Sequence, residues 1–415
     1  MDTLPSLHAV PASWLRDSVL APYVTGYWQH LARRGYADHT VTMYLYCVAH
    51  FARWIRRSRV AACDLTDDVV RRFITEHLPH CTCPPPVQRH ARTVRAALRH
   101  LLVSLDESKV LHNDKVASTV DDELRRFDEH MNRARGLARS TRTQRLRILQ
   151  SFLQQRRSVS SGMLICRTQD ELRRFIEIRL QGLRPGSAQL IAGTLRAYLR
   201  FRATLGDTVT HLLPVITSPA NHRLGVLPQT LSQQEVVQLL HAFPEGLASG
   251  HRAYAMLRCL VDLGLRASEV VSIDLDDIDW EAGTLRIAKN KSRRVDVLPL
   301  PQTTGQAIAT YLHVERPPTA SRRVFVRHVA PVDLPIGPEV LRKIVREAYR
   351  RSGLPHTRVH ILRHALASRL LATGSTLKDI ADVLRHRELD TTMIYTKVDM
   401  VHLSTVAMPW PGGVR

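Results

Sequence analysis

Lysine is scarce in this chain: of its 59 Lys and Arg residues only seven are Lys, which leaves 52 Arg. Acidic residues are also few, 38 against those 59, and the formal net charge is +21. A surface selected only for solubility has no reason to prefer Arg, whose planar fork fits phosphate oxygens bidentately. Together the two shortages point to a polyanionic partner, most simply nucleic acid. Six Cys scattered over 415 residues do not form a disulfide framework, so a reducing cytoplasm is expected. No run of about 18 apolar residues exists to span a bilayer, which excludes a helical membrane protein. The start Met1-Asp2-Thr3-Leu4-Pro5 has neither the basic nor the apolar stretch of a secretory signal. Nor is there a low-complexity stretch of the kind that stays disordered.

What remains is ordinary for a globular chain: 44% apolar and 23% charged residues over a length that suits about three domains. The charge is uneven. Residues 1–227 carry 34 Lys and Arg against 19 acids, and residues 228–415 carry 25 against 19. The first half therefore reads as the main surface for a polyanion.

That half also repeats itself at an offset of about 101 residues. Arg34-Gly35-Tyr36-Ala37 recurs as Arg135-Gly136-Leu137-Ala138. Thr66-Asp67-Asp68 with Arg71-Arg72-Phe73-Ile74 recurs as Thr168-Gln169-Asp170 with Arg173-Arg174-Phe175-Ile176. Val94–Arg99 matches Leu195–Arg200. Leu98, Leu101, Leu102 and Leu105 fall on one face of a helix, and the Thr-led triplets read as helix N-termini. Each copy is thus expected to be a bundle of about four helices. The expected layout is a helical domain over 1–112, its repeat over 113–215, a Gly/Pro-marked linker over 216–229 and a last domain over 230–415.

In the last domain, Ser232 and Glu235 form a capping box. Thr284–Ile287 and Arg294–Leu298 alternate as strands flanking a basic tip, so an otherwise helical domain gains a small antiparallel sheet. Four segments of this domain carry phosphate chemistry: Gly264-Leu265-Arg266-Ala267-Ser268-Glu269, the basic tip Lys289–Arg294, His360-Ile361-Leu362-Arg363, and Leu384-Arg385-His386 followed by Tyr395. His360 and Arg363 share a helix face. Nine residues on one helix would separate His386 from Tyr395 by about 13.5 Å, too far to share one phosphate. The chain must turn between them, and Leu389-Asp390-Thr391-Thr392 supplies residues for that break.

In order and spacing these residues resemble the tyrosine recombinase (phage integrase) family: Arg, a hairpin Lys, His-x-x-Arg, a His 23 residues on at 386, and Tyr nine further at 395. The resemblance covers about residues 228–410, and the helical first half resembles the family's core-binding domain, here in two copies instead of the usual one. It implies a mainly α protein: duplicated helical DNA-binding domains plus an α+β catalytic domain. The implied activity is cutting and rejoining DNA through a 3′-phosphotyrosyl intermediate, in integration, excision or transposition of a mobile element, as in transposon-associated integrases. Tyr395 would be the nucleophile, Arg266 and Arg363 the phosphate clamp, His360 a further donor or proton-transfer group, and His386 a phosphate or tyrosine partner. Lys291 would be the general acid, with Lys289 the alternative, and Glu269 would orient a cation. His364 reads as a helix neighbour only. The chemistry needs no cofactor and no metal, because Arg supplies the positive charge.

The implied partners are double-stranded DNA and three further protomers in a tetramer on two sites, alone or with other recombinases. The expected location is the bacterial cytoplasm, on the nucleoid. Two other readings use the same residues: a DNA binder of this fold without catalysis, and a type IB topoisomerase. Two features stay outside the resemblance. His77, His80, Cys81 and Cys83 offer four possible zinc ligands within seven residues, but adjacent His80 and Cys81 fit tetrahedral geometry poorly and a surface loop is the expected reading. The apolar tail from Val398 to Trp410 suits docking, on a neighbouring protomer or on its own domain.

Overall fold

The computed structural model describes residues 5–111, 119–157, 168–218, 229–244, 246–287, 295–332, 334–386 and 392–398. Two compact units divide the chain, one formed by 1–111 with 226–415 and the other by 112–225. No described helix is long and apolar enough to cross a membrane.

The first stretch of the larger unit holds α1 (Ala9–Arg16), α2 (Val24–Arg33), α3 (Asp38–Arg57), α4 (Asp67–Arg72) and α5 (Ala91–Glu107). Their apolar stripes meet around Tyr27, Leu45, Phe51, Phe73 and Leu98, all fully buried. The smaller unit repeats the order with α6 (Thr119–Arg133), α7 (Arg139–Arg157), α8 (Gln169–Leu180) and α9 (Pro185–Thr204). Its core forms around Phe127, Phe152, Leu172 and Leu199. Local detail repeats as well. Thr66 accepts from the Val69 N–H at the start of α4, and Thr168 accepts from the Glu171 N–H at the start of α8. Gly35 and Gly136 both take the left-handed conformation, at φ 73° and 55°. Buried Glu123 of the second copy is satisfied by Tyr198 Oη at 2.8 Å and Arg202 Nη1 at 2.9 Å.

The last part of the larger unit is built from α10 (Gln233–Leu240), α11 (Gly250–Leu263), α12 (Ala267–Val270), α13 (Gln302–Thr310), α14 (Pro338–Arg351), α15 (His360–Ala372) and α16 (Leu377–Leu384). Ser232 and Glu235 make the expected capping box on α10. The sheet is β1 (Ile278–Asp279), β2 (Thr284–Ile287) and β3 (Asp296–Pro299), antiparallel in that order, with Leu285 opposite both Ile278 and Leu298. The alternation in the sequence identifies β2 and β3. It misses β1, because two residues are too short to show a period of two. The hairpin tip with Lys289 and Lys291, most of the 216–229 linker and the tail beyond 398 lie outside the described residues.

Candidate active site

Helix α11 ends at Gly264, whose φ of +55° is left-handed. A Cβ there would sit 2.8 Å from both Leu366 Cδ2 and Leu384 Cδ2, so only Gly lets α15 and α16 pack this closely on the turn. Gly264 thus closes α11, two residues before the N-cap of the next helix. Two residues on, Arg266 caps α12: its N–H donates to Glu269 Oε2 at 2.8 Å and its Nη1 to Oε1 at 2.7 Å. Arg385, at the left-handed C-cap of α16, donates through Nη2 to Glu269 Oε2 at 3.0 Å. Glu269 is 2% exposed. Burial works against its charge, but Arg385 and Arg266 outweigh it and hold the carboxyl below the usual range.

Arg363 comes from the first turn of α15 and is also buried. Its guanidinium donates to the carbonyls of Gly264 and Leu384, at the C-terminal ends of α11 and α16. Those ends carry partial negative charge and suit a cation. Burial first, then Arg266 and Arg385, lower its pKa to about 9, so it stays charged at neutral pH. Arg266, Arg363 and Arg385 therefore act on one another around a single carboxylate. Three cations against one anion leave the site positive, as a group that receives a phosphodiester should be.

Tyr395 lies on a 3₁₀ turn, Met393–Val398, separate from α16, and is 1% exposed among Leu366, Leu371, Ile380 and Leu384. Burial pushes the phenol up to about 12, while the charge of Arg363 opposes that shift. Tyr395 Oη is 2.9 Å from His364 Nδ1, with the rings edge to face. His364 is lowered to about 4 by burial, His360 and Arg363. His386 is lowered to about 4 by burial, Arg363 and Arg266, and its Nδ1 is 2.7 Å from Thr392 Oγ1. Both imidazoles are neutral at pH 7, so a neutral His364 can accept a hydrogen bond from the phenol. His360, exposed at the start of α15, lines with Arg266 an open groove of about 820 Å³ that also presents Arg342, Arg346 and Arg358.

Arg266, Glu269, Arg363, His386 and Tyr395 are brought to one place, and His360 to the groove that leads into it. Lys291 and Lys289 lie outside the described residues. Two members were not singled out from the sequence. Arg385 shares the carboxylate of Glu269, and its neighbour His386 was the only signal for it. His364 touches the tyrosine, whereas the sequence marked it as a bystander: its one-residue offset from Arg363 says nothing about a partner 31 residues away. The second cluster also changes membership. His77, Cys81 and Cys83 come together, His80 points to solvent, and His50 of α3 takes the fourth place.

Residues 229–402 match the model of the phage integrase family. A putative integrase/recombinase, y4rA, of Sinorhizobium fredii is 34% identical over 405 residues, covering 95% of this chain and 96% of its own. The tyrosine recombinase XerC of Azotobacter vinelandii is 31% identical over 239 residues, 57% of this chain and 77% of its own. Among solved structures, XerH bound to palindromic difH substrate superposes with a TM-score of 0.52 at 15% identity, covering 89% of this chain and 96% of that one. A lambda integrase fragment bound to a core site gives 0.52 at 16% identity over 66% of this chain and 94% of that one. At those identities the superpositions speak for the fold.

Proposed function

Since this chain belongs to the phage integrase family of tyrosine recombinases, and is therefore a site-specific recombinase that breaks and rejoins DNA strands, we propose that Tyr395 is its nucleophile. The observation that carries this is the buried phenol beside Arg363, in a site where three guanidiniums meet one carboxylate.

A phenol raised to about 12 is a poor nucleophile until it leaves its apolar seat or passes its proton on. In that seat the phenol is hydrogen-bonded to the neutral His364 at 2.9 Å, and its proton passes to His360 or to solvent once the phenol reaches the phosphate. The phenolate oxygen attacks phosphorus, the bond from phosphorus to the 5′-oxygen breaks, and that oxygen takes a proton from a general acid, a role given to Lys291. Arg266 and Arg363 neutralise the non-bridging oxygens as negative charge builds at the pentacoordinate phosphorus. Glu269 fixes both Arg266 and Arg385, His360 donates from the groove, and His386 is a neutral donor to the phosphate. Attack by a second 5′-hydroxyl on the phosphotyrosine reverses the step, so bond energy is conserved and joining needs no nucleotide.

Double-stranded DNA is the partner, held by the Arg-rich helical copies over 1–112 and 113–215 and by the domain over 230–415. Structures of relatives include a lambda integrase tetramer bound to a Holliday junction, and four protomers on two sites is the assembly we propose here. The setting is the cytoplasm and the task the movement of a mobile element.

Nicked suicide DNA carrying the site should trap a covalent adduct with the wild type and none with Tyr395→Phe. An adduct that persists in the variant would place the nucleophile elsewhere. Specific binding with no adduct from either protein would favour a non-catalytic DNA binder. Relaxation of supercoils without strand exchange would favour a topoisomerase.

A further inference from the structure

In the first helical copy, outside the segment that carries the tyrosine, four side chains aim their ligand atoms at one point. His50, His77, Cys81 and Cys83 place one nitrogen or sulfur each within 4.8 Å of all the others. His50 Nε2 is 3.2 Å from His77 Nε2 and 3.2 Å from Cys81 Sγ, and Cys83 Sγ is 3.7 Å from His77 Nε2. Bond lengths of about 2.0–2.1 Å to nitrogen and about 2.3 Å to sulfur give a zinc tetrahedron edges of roughly 3.3–3.8 Å. The three separations of 3.2, 3.2 and 3.7 Å lie close to such edges, and every other pair lies within 4.8 Å. We propose that these four residues form a structural zinc site, binding Zn²⁺ through two imidazoles and two thiolates.

The surroundings agree with that assignment. His50 Nδ1 lies 3.1 Å from the Gln88 carbonyl, so it carries the ring proton and leaves the Nε2 lone pair facing the cluster. Binding would release two thiol protons, and the resulting centre of two thiolates and one dication is uncharged, which suits a site that is partly buried.

The site also explains a local difference between the two copies. In the second copy α8 and α9 are separated only by residues 181–184, whereas residues 81–90 of the first form a longer Pro-rich loop without regular structure. His50 corresponds to Ser151 at the repeat offset, and the second copy has no matching Cys. The π-helical turn Phe73–His77 carries the chain to His77 next to α3, and the metal would pin the loop to that helix.

The test uses the full chain without an affinity tag, purified from zinc-supplemented cells. Elemental analysis should find about one zinc per chain, near none in Cys81→Ser or Cys83→Ser, and full occupancy in His80→Ala. Cobalt(II) added to the metal-stripped wild type should give the intense visible bands of tetrahedral cobalt with thiolate charge transfer, a readout independent of whether the variants fold. Two results would overturn the site: a wild type with neither stoichiometric zinc nor that spectrum, or loss of metal in His80→Ala equal to that in Cys81→Ser.

Discussion

Glu269 shows how much one buried residue decides. Its two oxygens hold the cap of α12, the side chain of Arg266 and the side chain of Arg385. Removing one partner of a buried ion pair typically costs about 3–5 kcal/mol, because the charges left behind have no compensation. Glu269→Gln should therefore lower the denaturant midpoint clearly at neutral pH. The folded carboxyl titrates below its unfolded value of about 4.3. Its contribution is complete above that value and is lost as pH falls through the depressed one. Stabilities of wild type and variant should converge in acid; a gap that stays constant with pH would rule out the charge as its origin. Spacing in the sequence marks this residue as the orienter of a cation, while the identity of the second cation, Arg385, comes only from the tertiary contact that brings the end of α16 to Glu269.

Short elements carry the positioning. Thr66 and Thr168 cap equivalent helices in the two copies, and loss of such a cap costs about 1 kcal/mol. Thr66→Ala and Thr168→Ala should each destabilise by that amount in denaturant melts, and the double variant by the sum, since the caps belong to different cores. A double loss well beyond the sum would mean that the copies fold as one. The 3₁₀ turn bearing Tyr395 is the element on which the proposed chemistry depends. Helix rise requires that His386 and Tyr395 not share one helix, and α16 ends at Leu384 while Tyr395 sits on a separate turn; Leu389, Asp390 and Thr391 lie outside the described residues. Its apolar seat against α15 is a tertiary contact that residue spacing does not encode.

At the scale of the whole molecule the excess of Arg decides how DNA is held. Counterion release makes affinity fall linearly on logarithmic axes with salt, by about 0.9 per phosphate neutralised. Arg346, exposed in the groove beside His360, should contribute one such contact. Arg346→Ala is expected to weaken binding alike on specific and random duplexes and to reduce the salt slope by about 0.9. A loss confined to the specific site would show that this Arg reads bases instead.

By itself the sequence determined the helical class, the repeat, the hairpin and the order of the residues proposed to react. Those are matters of period, capping and spacing, which act between near neighbours along the chain. Tertiary structure alone decided that Arg385 joins Arg266 on Glu269, that His364 meets the phenol, and that His50 rather than His80 completes the cysteine cluster. Each of these partnerships joins residues that only packing brings together, and no local periodicity records which distant side chain will fill a given place.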